Sequence, residues 1–226
     1  MLLPVLNLVF CTLLQHNPSE NKPEPIRYQS IPVSRSGDTI QFFSDQLQVR
    51  LIATKENGIE VLCKAGTGQV QQFSEPTVNL ESCPDTAFAA DLNNDGRLDM
   101  KIFFNFQGAS PLAPKVKRKL YLISEPDGSY SKVSFFDFSM EPETDFNGDK
   151  VYEIVAKDLI QFRKHSYWKY ELYQFSGKKL SNVSLKYGYP KLVPFRIKPT
   201  NKALTNLTDA DRRKLMSKQP REYEQQ

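Results

Sequence analysis

Two nine-residue stretches of one pattern constrain this chain more than anything else in it. Asp91-Leu-Asn93-Asn-Asp95-Gly96-Arg97-Leu-Asp99 carries side-chain oxygens at its first, third, fifth and ninth positions and glycine at its sixth. Asp145-Phe-Asn147-Gly-Asp149-Lys150-Val151-Tyr-Glu153 repeats the four oxygens 54 residues later. Each stretch runs straight into apolar alternation. Leu98, Met100, Ile102, Phe104 and Phe106 follow the first, and Tyr152, Ile154 and Ala156 take the matching places after the second. Alternation of this kind marks a half-buried strand. A shift of 54 keeps the inward face in both copies, so the pair is expected to be a structural repeat in a β protein.

The oxygens suit a hard cation. Ca²⁺ takes six to eight oxygen ligands at short range, and a tight loop supplies most of them. In the first loop these are the side chains of Asp91, Asn93, Asp95 and Asp99, with the backbone carbonyl of Arg97. Gly96 lets the chain turn at positive φ without a Cβ clash. In the second loop they are Asp145, Asn147, Asp149 and Glu153, with the carbonyl of Val151. Lys150 stands where glycine is expected and Gly148 lies two positions earlier, so the second turn is expected to be built differently. Calcium is the expected cofactor, as one or two ions. Magnesium keeps its waters and is seldom caged by protein alone. The other arrangement for each loop is an acidic Asx turn satisfied by its own backbone.

An EF-hand is excluded. That loop needs Glu at position 12 and flanking helices, whereas position 12 is Ile102 in one copy and Ala156 in the other. Closing on position nine and entering a strand directly resembles the calcium loops of FG-GAP and VCBS repeats, which build integrin-type β-propellers and many bacterial surface proteins. The residues that carry the likeness are Asp91, Asn93, Asp95, Gly96 and Asp99, and Asp145, Asn147, Asp149 and Glu153. A full propeller of that kind uses about seven blades of ~60 residues, and 226 residues fall well short. The expected fold is therefore mainly β. It is a small antiparallel domain, made of propeller-like blades or a β-sandwich, with two calcium loops and a short C-terminal helix. Compact exported proteins of this build look similar to periplasmic calcium-binding immunity proteins that block secreted cell-wall-degrading effectors. That likeness implies a protein partner, with a secreted enzyme as its class.

Residues 1–17 form a signal-like apolar segment. Leu2 to Leu14 is almost wholly apolar, too short for the ~20 residues a membrane-spanning helix needs and suited to the core of an export signal. Cys11 adds the reading of a lipid anchor, and a buried first segment is the remaining one. An extracytoplasmic location, periplasmic or secreted, is expected. Residues 18–27 read as a linker rich in Pro, Asn and Glu. Residues 28–198 hold the β domain. Leu47–Thr54 and Ile59–Cys63 flank Asn57-Gly58, and Leu120–Ile123 and Tyr130–Phe136 flank Asp127-Gly128, which are hairpin signals. Residues 199–226 form a tail in which Thr208 and Asp211 resemble a capping box at the start of a short, loosely held helix with a frayed end. Given export, Cys63 and Cys83 pair as one disulfide. Two buried free thiols are the other arrangement.

Composition narrows function. The net charge of +4 is modest and the densest basic cluster, Lys115, Lys117, Arg118 and Lys119, reads as a solvated loop, so no nucleic-acid partner is expected. The chain has two histidines, His16 in the linker and His165 beside Arg163 and Lys164 in a solvated turn. No nucleophile motif, phosphate loop or Cys/His zinc spacing appears, and no enzyme is expected. Glu141 and Glu143 read as surface or outer charge beside the second loop. The leading expectation is an exported calcium-binding module that binds or inhibits a protein. The alternative is a carbohydrate-binding or carbohydrate-active module that uses Tyr167, Tyr173, Phe175, Tyr187 and Tyr189 as an exposed aromatic face, unless their strand is buried on both sides.

Overall fold

The structure is a computed structural model describing residues 23–43, 47–54, 58–65, 68–83, 85–106, 112–195, 203–204 and 206–226. The apolar run Leu2–Leu14, Cys11 and the first part of the expected linker lie outside the described residues. The fold is mainly β and every strand pairing is antiparallel.

The strands are β1 (Glu24–Pro25), β2 (Gln29–Ser36), β3 (Thr39–Phe43), β4 (Leu47–Ala53), β5 (Ile59–Ala65), β6 (Gln71–Glu75), β7 (Thr86–Ala90), β8 (Asp99–Asn105), β9 (Lys117–Ser124) and β10 (Tyr130–Asp137). After them come β11 (Thr144–Asp145), β12 (Glu153–Phe162), β13 (His165–Ser176), β14 (Lys179–Asn182) and β15 (Lys191–Pro194). A helix, α1 (Asp209–Leu215), and β16 (Arg221–Gln225) complete the order. One sheet has ten strands in the order β16-β10-β9-β8-β7-β2-β3-β4-β5-β6. The other runs β1-β11-β12-β13-β14, with β15 also on β13. The architecture is layered, and a ten-stranded sheet replaces separate four-stranded blades.

Alternation explains the layers. Ile40, Phe42, Val49, Leu51, Val61, Met100, Ile102, Phe104, Leu120 and Leu122 all turn into the hollow of the ten-stranded sheet and form one core. The opposite faces of β9 and β10 present Tyr121, Ile123, Val133 and Phe135 to Ile154, Tyr173 and Phe175 of the second sheet, a second core between the sheets. Trp168, Tyr170 and Leu172 point the other way and are covered by Tyr187, Tyr189 and Val193. Strand β13 is thus buried on both faces. Tyr173, Phe175, Tyr187 and Tyr189 are all buried, which removes four of the five residues from the expected aromatic face.

Several other expectations need correction. The linker is docked at its described end: Glu24 pairs with Asp145 and Pro25 with Thr144. Ile26 is buried, and its N–H donates to the Glu143 carbonyl at 2.8 Å. The tail is not frayed. Thr208 caps α1 in a capping box with Asp211, as the sequence indicates. Beyond the helix β16 returns to the large sheet and pairs with β10. The basic cluster is not a solvated loop: Arg118 and Lys119 lie on β9, fully buried. Arg118 Nε lies 2.9 Å from Glu75, and Lys119 Nζ 2.6 Å from Asp137. Cys63 and Cys83 are separate buried thiols, not a disulfide. Both sit in the hollow core as small apolar groups. Burial pushes both thiols up to about 12, which suppresses the thiolate that disulfide chemistry needs.

Candidate metal loops

The two acidic loops occupy equivalent places in different sheets. The first joins β7 to β8, where Ala90 pairs with Asp99. The second joins β11 to β12, where Thr144 pairs with Glu153. Both partners are displaced by the same 54 residues, so the repeat extends to strand register.

The hydrogen bonds repeat as well. The first carboxylate accepts from the sixth N–H: Gly96 to Asp91 at 2.8 Å, Lys150 to Asp145 at 2.9 Å. The fifth carboxylate accepts from the seventh N–H: Arg97 to Asp95 at 2.9 Å, Val151 to Asp149 at 2.8 Å. It also accepts from the third side chain, Asn93 at 3.1 Å and Asn147 at 2.8 Å. The ninth carboxylate accepts from the second N–H: Leu92 to Asp99 at 2.9 Å, Phe146 to Glu153 at 3.1 Å.

The backbone corrects one expectation. The second turn is not built differently. Positions four and six take positive φ in both loops, Asn94 (58°) and Gly96 (81°) in one, Gly148 (80°) and Lys150 (64°) in the other. Glycine has exchanged places within the same turn. Asn tolerates the left-handed region, whereas Lys150 adopts it against its Cβ.

The loops differ in their closing residues. Asp99 is fully buried. Its Oδ1 accepts from the Ser124 N–H (2.8 Å) and hydroxyl (3.0 Å). Burial pushes its carboxyl up to about 7 against those donors, and the neighbouring Asp95 adds to the rise. Glu153 is also buried, with Oε1 accepting from Gln174 Nε2 (3.1 Å) and the Tyr187 hydroxyl. Its carboxyl is raised by burial. Ser124, Gln174 and Tyr187 have no signal in the loop pattern, because strand pairing and the far-face turn bring them in.

The loops also touch. Tyr152 N–H donates to the Leu92 carbonyl (3.0 Å), and the Asn94 side chain to the Asp149 carbonyl (3.4 Å). Beside them Glu143 is completely buried, a correction of its expected outer position. Lys101 Nζ donates to both its oxygens (2.6 and 2.7 Å), Tyr121 donates at 2.6 Å, and Tyr28 donates as well. Burial alone would raise the Glu143 carboxyl. The Lys101 and Lys119 cations outweigh it and hold it down to about 2. This knot ties the first described segment, β8 and β9 to the chain entering the second loop.

Among the described residues, no group of three or more acidic, histidine or cysteine side chains stands placed to hold a metal. The loop carboxylates turn to their own backbone, and Asp95 also pairs with Arg97 at 2.9 Å. The donor set is nonetheless one that calcium takes, carboxylate and carbonyl oxygens without nitrogen or sulfur. Among the described residues, two buried atoms of this loop have no hydrogen-bond partner, the donor Arg97 Nε and one acceptor. Asn93 Oδ1, at the third position, is buried without any partner. Its counterpart Asn147 Oδ1 accepts from Asp149 N–H at 3.3 Å. A buried acceptor with no donor is costly, and a cation in the first loop would satisfy it. Asp91, Asn93, Asp95 and Asp99 with the Arg97 carbonyl are the groups that would hold it.

Among the described residues no helix is long and apolar enough to cross a membrane. No protein-family model matches the chain, and no curated protein and no solved structure matches it.

Proposed function

We propose that the chain is an exported, non-catalytic binding protein that uses calcium as a structural ion and takes a protein as its partner, with a secreted enzyme as the first class to test. The observation that carries the calcium part is the unpartnered Asn93 Oδ1 in a loop of oxygen donors. The first loop is the stronger site and the second, whose equivalent oxygen is already engaged, the weaker one. Calcium would draw Asp95 from Arg97 and fix the exposed tip of the turn at Asn94 and Gly96. Millimolar calcium outside the cytoplasm suits a site of moderate affinity, which agrees with the apolar Leu2–Leu14 run read as an export signal.

The test is capture on the immobilised chain from an extracytoplasmic fraction of its own source, in calcium and in chelator, with an Asp95→Ala chain in parallel. A discrete protein retained by the wild-type chain in calcium, and reduced in chelator and on the variant, is the expected result. Equal retention in all three, or none, would remove the reading.

A further inference from the structure

The ten-stranded sheet curls until its two edges face each other, yet no ladder joins them. Two glutamines close the gap. The Gln71 side chain exchanges two hydrogen bonds with the backbone of Tyr130 on β10, donating to its carbonyl at 3.2 Å and accepting from its N–H at 2.5 Å. The Gln226 side chain does the same for Ser74 on β6, accepting from its N–H at 2.9 Å and donating to its carbonyl at 3.1 Å. A primary amide carries the donor and acceptor of a peptide unit. Each glutamine therefore stands where one residue of a further strand would stand. Beneath the seam the fully buried Glu75 accepts from Arg118 (2.9 Å) and Ser134 (2.6 Å) and pairs with Lys132 (3.1 Å), so the floor is rigid and its charges are matched.

Ser74 lies opposite Glu60 of β5, with its N–H turned outward to Gln226 and its carbonyl shared between the Gln226 amide and the buried Lys132 Nζ, which holds it in place as a strand acceptor. By the alternation of an antiparallel ladder, Gln72 presents its own backbone groups on the same edge. Both residues are exposed. Strand β6 carries none of the Lys, Arg or Pro that commonly guard an edge. Beside it lies a cleft of about 790 Å³ lined by Ile59, Glu60, Gln72, Phe73, Ser74 and Gln226, among others. Glu60 is the charged side chain of that lining.

We propose that this seam takes an extended peptide of the partner protein as an added strand on β6, displacing the Gln226 amide and placing a Lys or Arg opposite Ser74, from where its long side chain reaches over the small Ser74 to Glu60. Backbone pairing supplies the affinity and the side-chain positions the selectivity. The inference rests on the protein-binding part of the proposed function and not on calcium.

The test uses the whole chain in chelator and a labelled probe, acetyl-Thr-Val-Lys-Val-Thr-Val-amide, followed by fluorescence anisotropy. Saturable binding is expected. It should tighten about tenfold in Gln226→Ala, which removes the seal. It should weaken at least about tenfold in Ser74→Pro, which deletes one outward N–H and leaves the bonds to β5 intact. A probe N-methylated at alternate amides should not bind. Glu60→Lys should reverse the preference, favouring a probe with Glu in place of its Lys, so the inference stays testable if Ser74→Pro fails to fold. No binding to the wild-type chain or Gln226→Ala would overturn it, as would binding indifferent to N-methylation and to Glu60→Lys. Dimerisation of Gln226→Ala that the probe does not compete away would also overturn it, in favour of a second copy. Because calcium is absent, failure here leaves the loops untouched, and a calcium-blind chain that binds the probe leaves the seam standing.

Discussion

The two acidic loops share a strand register and four kinds of hydrogen bond, yet they sit in different surroundings. The first is half sunk between the sheets, with Leu92 and Asp99 fully buried and one amide oxygen unpartnered. In the second, Asn147, Gly148, Asp149 and Lys150 are exposed and the equivalent oxygen is satisfied. The same local pattern thus gives a closed Asx turn in the more exposed loop and a turn with a buried, unmet acceptor in the loop that is more deeply set. The two loops differ here by burial, not by motif.

The largest expected effect comes from the closing carboxylates. Asp99→Ala strands the N–H groups of Leu92 and Ser124 in a buried place, and should cost about 3 kcal/mol by the usual penalty for such groups. Glu153→Ala frees Phe146 and Gln174, both half-buried, and the buried Tyr187 hydroxyl, a rotatable donor where Asp99 holds fixed N–H groups, and should cost about 2 kcal/mol or less. Urea unfolding checks the pair. Equal losses would break the contrast.

The next effect is on pH dependence without metal. The Asp99 carboxyl is raised from its usual value to about 7, so the folded chain holds its proton more tightly than the unfolded one. The resulting stability is complete below pH ~4 and lost as pH rises through about 7. Unfolding midpoints in chelator should therefore fall between those limits, and Asp99→Asn should flatten the fall. A midpoint that rises over the same range would contradict the assignment.

The turn residues should give smaller and opposite effects. Gly96→Ala forces a Cβ onto φ 81° with open space around it, and should cost about 1 kcal/mol from backbone strain alone. Lys150→Gly relieves φ 64° and should stabilise by up to about 1 kcal/mol. Thermal unfolding of the two variants decides it, and changes of like sign would count against a shared turn. The smallest effect is expected for Asn94→Gly, which leaves φ 58° unstrained. It removes the partly exposed 3.4 Å contact between loops and should cost about 0.5 kcal/mol.

Much of this was legible in the sequence where a period carried it. Met100, Ile102 and Phe104 alternate inward as their spacing indicates, and the strands flanking the two expected hairpin turns pair, β4 with β5 and β9 with β10. The capping box of α1 also reads directly. What did not read were groups whose partners lie far along the chain. Lys117-Arg118-Lys119 looks solvated until Glu75 and Asp137 are brought beside it. Glu143 looks exposed until Lys101, Tyr121 and Tyr28 converge on it. Glycine position alone also misled, because Gly96 and Gly148 serve different residues of one conserved turn geometry.

On the proposed function, the first loop takes calcium through the oxygen its own backbone leaves free. Calorimetric titration of the metal-stripped chain with Ca²⁺, repeated on Asn93→Ala and Asn147→Ala, tests it most directly. A saturable site is expected that Asn93→Ala weakens about tenfold or more, the effect of losing a ligand worth ~1.4 kcal/mol, and that Asn147→Ala leaves nearly unchanged. No saturable heat in the wild-type chain, or equal weakening in both variants, would contradict it.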